Sequence, residues 1–166
     1  MKKILFLLVC LILVKMISEA QTVKGSFLIK NATVLTITDG IHENTDVLVE
    51  DGLIQKIGKE IPLPSGMEEI DGSGKYVMPG IIDAHSHVGL EVINEATSPI
   101  TAEVWMGDVV NPFDVGLYRA LAGGVTVSNA MHGSANAIGG RNITLKHRYG
   151  TRNPEELFMT EAPRTI

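Results

Sequence analysis

The sequence predicts an α/β protein in which a module of short strands leads into the start of a parallel sheet. Three observations carry that expectation. From Gly25 to Tyr76, short apolar runs alternate with turn signals such as Asp39-Gly40, Asp51-Gly52 and Gly72-Ser73-Gly74. An apolar run then passes through a Pro79-Gly80 corner into His85-Ser86-His87. Beyond it, apolar residues at helical spacing are followed by a second apolar run, Val125 to Ala130, and strand–helix–strand order builds parallel sheets.

Composition narrows the possible partners. At 166 residues, with 45% apolar and 20% charged residues, the chain is an ordinary globular mixture. The net charge of -5 is modest and no basic patch stands out. Neither nucleic acid nor an anionic membrane surface is therefore expected, and a small-molecule substrate is. The sequence leaves room for an oligomer.

Taken in order, Lys2 and Lys3 precede an unbroken apolar run from Ile4 to Val14, and Ser18-Glu19-Ala20 places small residues where a signal peptidase reads. Residues 1–20 are expected to be a secretory signal peptide, and the protein to be exported to a periplasmic or extracellular space. The run falls short of the about 20 residues a membrane span needs, so no stable membrane anchor is expected after cleavage. Cys10, the only cysteine, lies in this leader, which excludes disulfides and thiolate metal sites from the mature chain.

Residues 21–79 read as a β-module. Ser26 to Thr38 supplies one or two strands, and Asp46 to Val49 with Leu53 to Ile57 flank a hairpin turn. Residues 80–166 begin the α/β part with a strand expected to be buried. Val88 to Thr101 reads as a loop. Asn111-Pro112 is expected to open a helix, with Asn as N-cap and Pro first, carrying Phe113, Leu117 and Leu121 on one face until Gly123-Gly124 stops it. Asn142 to Lys146 is extended, as either a third strand or a hairpin after the second. Asn153-Pro154 opens another helix.

Side chains on a strand alternate faces with period two, so Asp83, His85 and His87 are expected to point the same way. Two imidazoles at a strand's C-terminal end can converge on one metal ion, and a carboxylate on that face can orient an imidazole from behind. His-x-His alone is a weak signal, and here the Pro-Gly corner and the carboxylate strengthen it.

Val77-Met78-Pro79-Gly80-Ile81-Ile82-Asp83-Ala84-His85-Ser86-His87 resembles the signature of the amidohydrolase superfamily. The segments Phe27 to Val34 and Asp46 to Gly58 resemble the small β-sandwich that precedes the catalytic domain in that family. Gly123-Gly124-Val125-Thr126 and Gly133 to Gly140 resemble the branch related to imidazolonepropionase, which includes exported enzymes. The likeness covers nearly everything after Gly25.

It implies a β-sandwich followed by a (β/α)8 TIM barrel, with His85 and His87 holding a metal at the mouth of the barrel. One or two divalent ions are implied, zinc first, although imidazole also suits iron, nickel or cobalt. The metal would activate water to hydrolyse a non-peptide carbon–nitrogen bond, and the general-base aspartate is expected beyond Ile166. Asp83 is a candidate for the layer behind the ligands. His132, Arg141 and Lys146 are candidates for substrate binding, Lys146 also for a bridging carbamate.

A complete barrel takes about 250 residues, too many for the stretch from Gly80 to Ile166, so the chain is expected to be an N-terminal fragment, inactive by itself. The alternatives are an exported, non-enzymatic binding or assembly module that keeps the sandwich, and a full barrel that cleaves dipeptides or lactones.

Overall fold

The computed structural model describes residues 25–162. The leader expected at residues 1–20 lies outside them. The chain divides into two compact units, the first ending at Met78 and the second beginning at Pro79.

The first unit is built on one mixed sheet. Strands β1 (Phe27–Leu35), β2 (Ile41–Glu50) and β3 (Leu53–Gly58) form an antiparallel meander, while β4 (Glu68–Asp71) and β5 (Tyr76–Val77) pair in parallel with successive parts of β1. The β2–β3 turn is the one the sequence announces. Asp51 and Gly52 both take positive φ, 51° and 75°, matching the twist of a two-residue hairpin.

Strand β1 carries a feature that alternation hides. Asn31 sits at φ 59°, and the register with β2 slips between Ile29 and Ala32. Apolar side chains therefore reach one core from Phe27 and Ile29 before the bulge and from Ala32 and Val34 after it, joined by Val47, Val49 and Val77.

Asp46 fastens the bulge. Its buried carboxylate accepts from Asn31 N–H at 3.0 Å, Ile61 N–H at 2.9 Å and Lys30 Nζ at 2.7 Å. Burial alone pushes this carboxyl up, but the bonds from Lys30, Asn31 and Ile61 together with the Lys30 charge hold it below the ordinary aspartate range.

In the second unit, β6 (Ile81–Ser86) and β7 (Val125–Ala130) are parallel neighbours joined through helix α1 (Val115–Ala122), as the strand–helix–strand order requires. Strand β8 (Ile143–Lys146) runs antiparallel to β7, so of the two forms expected for Asn142 to Lys146 the hairpin partner is the one present. Leu117, Ala130, Ile143, Leu145, Leu157 and Met106 form the core of the unit.

The helix starts later than its Asn-Pro signal suggests. Asn111 Oδ1 accepts from Phe113 N–H at 2.9 Å and closes a turn around Pro112, and Asp114 is the true N-cap, accepting from Gly116 N–H at 2.8 Å. Phe113 is left outside the helix and 66% exposed. Asn153-Pro154 does open a helical segment, but only a 3-10 turn, Pro154–Leu157.

Candidate metal centre

The strand that delivers the two histidines is held by close backbone approach. Gly80 lies against Thr126: a Cβ at Gly80 would sit 2.7 Å from Thr126 Cβ and closer still to Oγ1 and Cγ2. Ile81 N–H then donates to Gly124 O at 2.9 Å and opens the parallel pairing. At the far end, Met131 N–H donates to Ser86 O at 2.9 Å, so the first residue after β7 is tied to the last of β6.

Strand β6 is not buried as expected. Ile81 and Ile82 are 47% and 68% exposed, because β6 is an edge strand with β7 as its single neighbour.

His85 and His87 come together at the C-terminal end of this strand. Their ring centres are 5.4 Å apart, with the planes at 87°. An ion about 2.1 Å from a ligating nitrogen lies about 3.2 Å from the ring centre, so two imidazoles at a tetrahedral angle have centres about 5 Å apart. The observed separation fits.

The tautomer fits as well. His87 donates from Nδ1 to Met131 O at 2.9 Å, which leaves the Nε2 lone pair free to bind a cation. The His85 ring makes no hydrogen bond among the described residues, and the residue is exposed. Among those residues, no set of three or more His, Cys, Asp or Glu side chains converges as a metal site.

Asp83 does not share the histidines' surroundings as the alternation predicts. The β6–β7 register shifts between Asp83, which pairs with Ser128, and Ser86, which pairs with Ala130. Three steps along β6 match two along β7, and the extra residue breaks the two-residue period. Asp83 Oδ1 accepts from its own neighbour's backbone, His85 N–H, at 3.2 Å, and its negative charge is felt by His147. The group that orients an imidazole is instead the Met131 carbonyl, which has no residue-type signature.

His132 is a loop fastener. It accepts at Nε2 from Glu95 N–H at 2.8 Å and donates from Nδ1 to Gly133 O at 2.7 Å, so both nitrogens are engaged and the substrate role expected of it has no free atom. Around it, residues 133–140 are stitched to residues 93–104. Asn136 Nδ2 donates to the carbonyls of Glu95 and Ser98, Ala137 N–H to Pro99 O at 3.1 Å, Thr101 N–H to Ile138 O at 2.9 Å, and Arg141 N–H to Val104 O at 2.8 Å. Arg141 places its guanidinium over the Trp105 ring, 5.7 Å from the centroid. Lys146 pairs with Val127 and is exposed. No hydrogen bond, ion pair or ring contact among the described residues joins these three side chains to His85 or His87.

A second imidazole arrangement carries no sign in the sequence. Buried His147 donates from Nδ1 to Val125 O at 3.1 Å and accepts at Nε2 from Ser128 Oγ at 2.8 Å. Burial lowers its pKa, against the opposing influence of the Val125 carbonyl and the Asp83 charge. Histidine and serine nineteen positions apart form no motif, and only the β7–β8 pairing brings them together.

No family model matches the chain. It is 44% identical over 82 residues to a dihydroorotase of Trichlorobacter lovleyi, covering 48% of this chain and 19% of that protein. It is 39% identical over 103 residues to a dihydropyrimidinase of Dictyostelium discoideum, covering 61% of this chain and 18% of that one. Among solved structures, an amidohydrolase from Thermotoga maritima MSB8 superposes with a TM-score of 0.72 at 40% identity, over 81% of this chain and 37% of that one. The chain thus spans about a fifth of the length of the curated relatives it matches.

Proposed function

We propose that this chain, which belongs to the amidohydrolase superfamily, is the amino-terminal part of an exported hydrolase that uses a divalent metal to cleave a non-peptide carbon–nitrogen bond in a small molecule. In this reading, residues 21–79 belong to the β-sandwich and residues 80–166 begin the barrel. Placement in the branch related to imidazolonepropionase is supported by Gly123-Gly124-Val125-Thr126 and the Gly133 to Gly140 loop. Export is supported by the lysine pair, apolar run and small-residue site of residues 1–20.

The observation that carries the reading is the edge-on His85–His87 pair at the end of β6, with His87 fixed through Nδ1 by the Met131 carbonyl. His85 and His87 would hold the ion. When bound, such an ion supplies Lewis acidity for activating water and polarising an amide carbonyl, and zinc is the ion we favour. The chain's own part is to present two imidazoles in one orientation. His87 cannot rotate without losing its bond to Met131 O, and the Met131 backbone is itself held by Ser86 O. A hydrolytic centre needs about four ligands or more, so these two bind an ion without completing a catalyst.

Equilibrium dialysis of the chain against cobalt(II), followed by metal analysis, tests this. The wild-type chain is expected to retain cobalt that the H85A/H87A variant does not, and to hydrolyse dihydroorotate or dihydrouracil no faster than a metal-free blank. Equal cobalt retention by the two proteins would end the metal reading.

A further inference from the structure

We infer that the second unit contains a binding site for a small organic anion, a carboxylate with an apolar or planar body, in the cavity between Trp105, Arg141, Phe158 and Met159. The cavity has a volume of about 350 Å³ and mostly apolar walls. That volume suits a small metabolite. It does not depend on His85 or His87, so it stands apart from the hydrolase reading.

The walls are held rigidly. Trp105 and Arg141 lie on adjacent backbone segments that bond in both directions: Arg141 N–H donates to Val104 O at 2.8 Å, and Met106 N–H to Arg141 O at 2.9 Å. Opposite them, Phe158 bridges Leu145, and Met159 N–H donates to Thr144 O at 2.9 Å. The indole meets the Phe158 ring edge-on at 5.7 Å and fills space that Gly107 leaves open, since a Cβ there would lie 2.7 Å from the indole Cη2. A site built this way needs little ordering when a ligand arrives.

Arg141 supplies the chemistry. Its guanidinium stacks on the Trp105 face, and no carboxylate pairs with it among the described residues. Stacking occupies the flat face of the group and leaves its edge of parallel N–H donors free, the geometry that takes a carboxylate with two bonds. An unpaired cation beside an apolar cavity, in a chain of net charge -5, points to an anion with an apolar body.

Trp105 is the chain's one tryptophan, so its fluorescence reports on this cavity directly. The full chain is titrated with benzoate, phenylacetate and hexanoate, and with the amide of each. Saturable change in Trp105 emission is expected for at least one carboxylate, with its amide weaker by about tenfold or more. Arg141→Met should abolish the change and Arg141→Lys weaken it, while H85A/H87A binds as wild type does. The inference is overturned by no saturable response to any of the three carboxylates, by equal binding of acid and amide, by wild-type affinity in Arg141→Met, or by loss of binding in H85A/H87A. The acid–amide comparison uses the wild-type chain and decides the matter even if the methionine variant does not fold.

Discussion

Replacing Gly80 by alanine is expected to loosen the second unit at the point where β6 meets β7. The new Cβ would lie 2.7 Å from Thr126 Cβ and nearer still to both γ atoms. Turning Thr126 about χ1 cannot help, because its own Cβ is part of the conflict. The backbones must separate instead, and the Ile81 N–H bond to Gly124 O at 2.9 Å is the first to stretch. Overpacking of this kind costs about 1–3 kcal/mol, and a weakened backbone bond adds about 0.5–1.5 kcal/mol.

Urea unfolding followed by Trp105 emission reads this unit alone, since the only tryptophan lies in it. With a slope of about 2 kcal/mol per molar, a loss of about 2 kcal/mol lowers the midpoint by about 1 M. Thr126→Gly removes every atom in conflict, so the double variant should be more stable than the two single losses add up to, by about 1 kcal/mol or more. A G80A midpoint within about 0.3 M of wild type, or strict additivity in the double variant, would refute the reasoning.

Two further predictions concern pH and the buried polar groups. Asp46→Asn should cost the first unit about 2 kcal/mol at pH 7, because it removes a charge-assisted bond to Lys30 and one acceptor for two amides. The folded pKa of Asp46 lies below 3.8, so its contribution is complete above that value and fades as pH falls through the lower, folded one. Circular dichroism melts at pH 7 and pH 3 should bring wild type and variant closer together, and an unchanged gap would contradict this. For His147, whose folded pKa burial depresses below 6.5, stability is complete above pH 6.5 and declines as protons bind the unfolded chain below it. The Trp105-monitored urea midpoint should therefore fall between pH 7 and pH 5, and His147→Gln should reduce that fall; a slope unaltered by the variant would place the titrating group elsewhere.

Much of the fold is readable from residue order, and the parts that are not share a cause. Asp51-Gly52 announces its hairpin because the required positive φ values suit those residue types, and Gly123-Gly124 ends the helix for the same reason. The His85–His87 encounter follows from spacing alone. Strict alternation fails in two places: Asn31 and the register slip after Asp83 each insert one residue, and one residue exchanges the faces of everything beyond it. The helix begins late because Asn111 bonds its own turn and Asp114, three positions on, becomes the cap. The partners that position His87 and His132 are main-chain groups, and no side chain in the sequence advertises them.

The stitching of residues 133–140 to residues 93–104 bears on how such a protein could be redirected to new ligands. Bonds from Asn136, Ala137, Thr101 and Arg141 join the two loops at several points along their length. Lengthening or recombining either one by itself would leave donors and acceptors facing nothing. Any retargeting, natural or engineered, would have to move the pair as a single cassette.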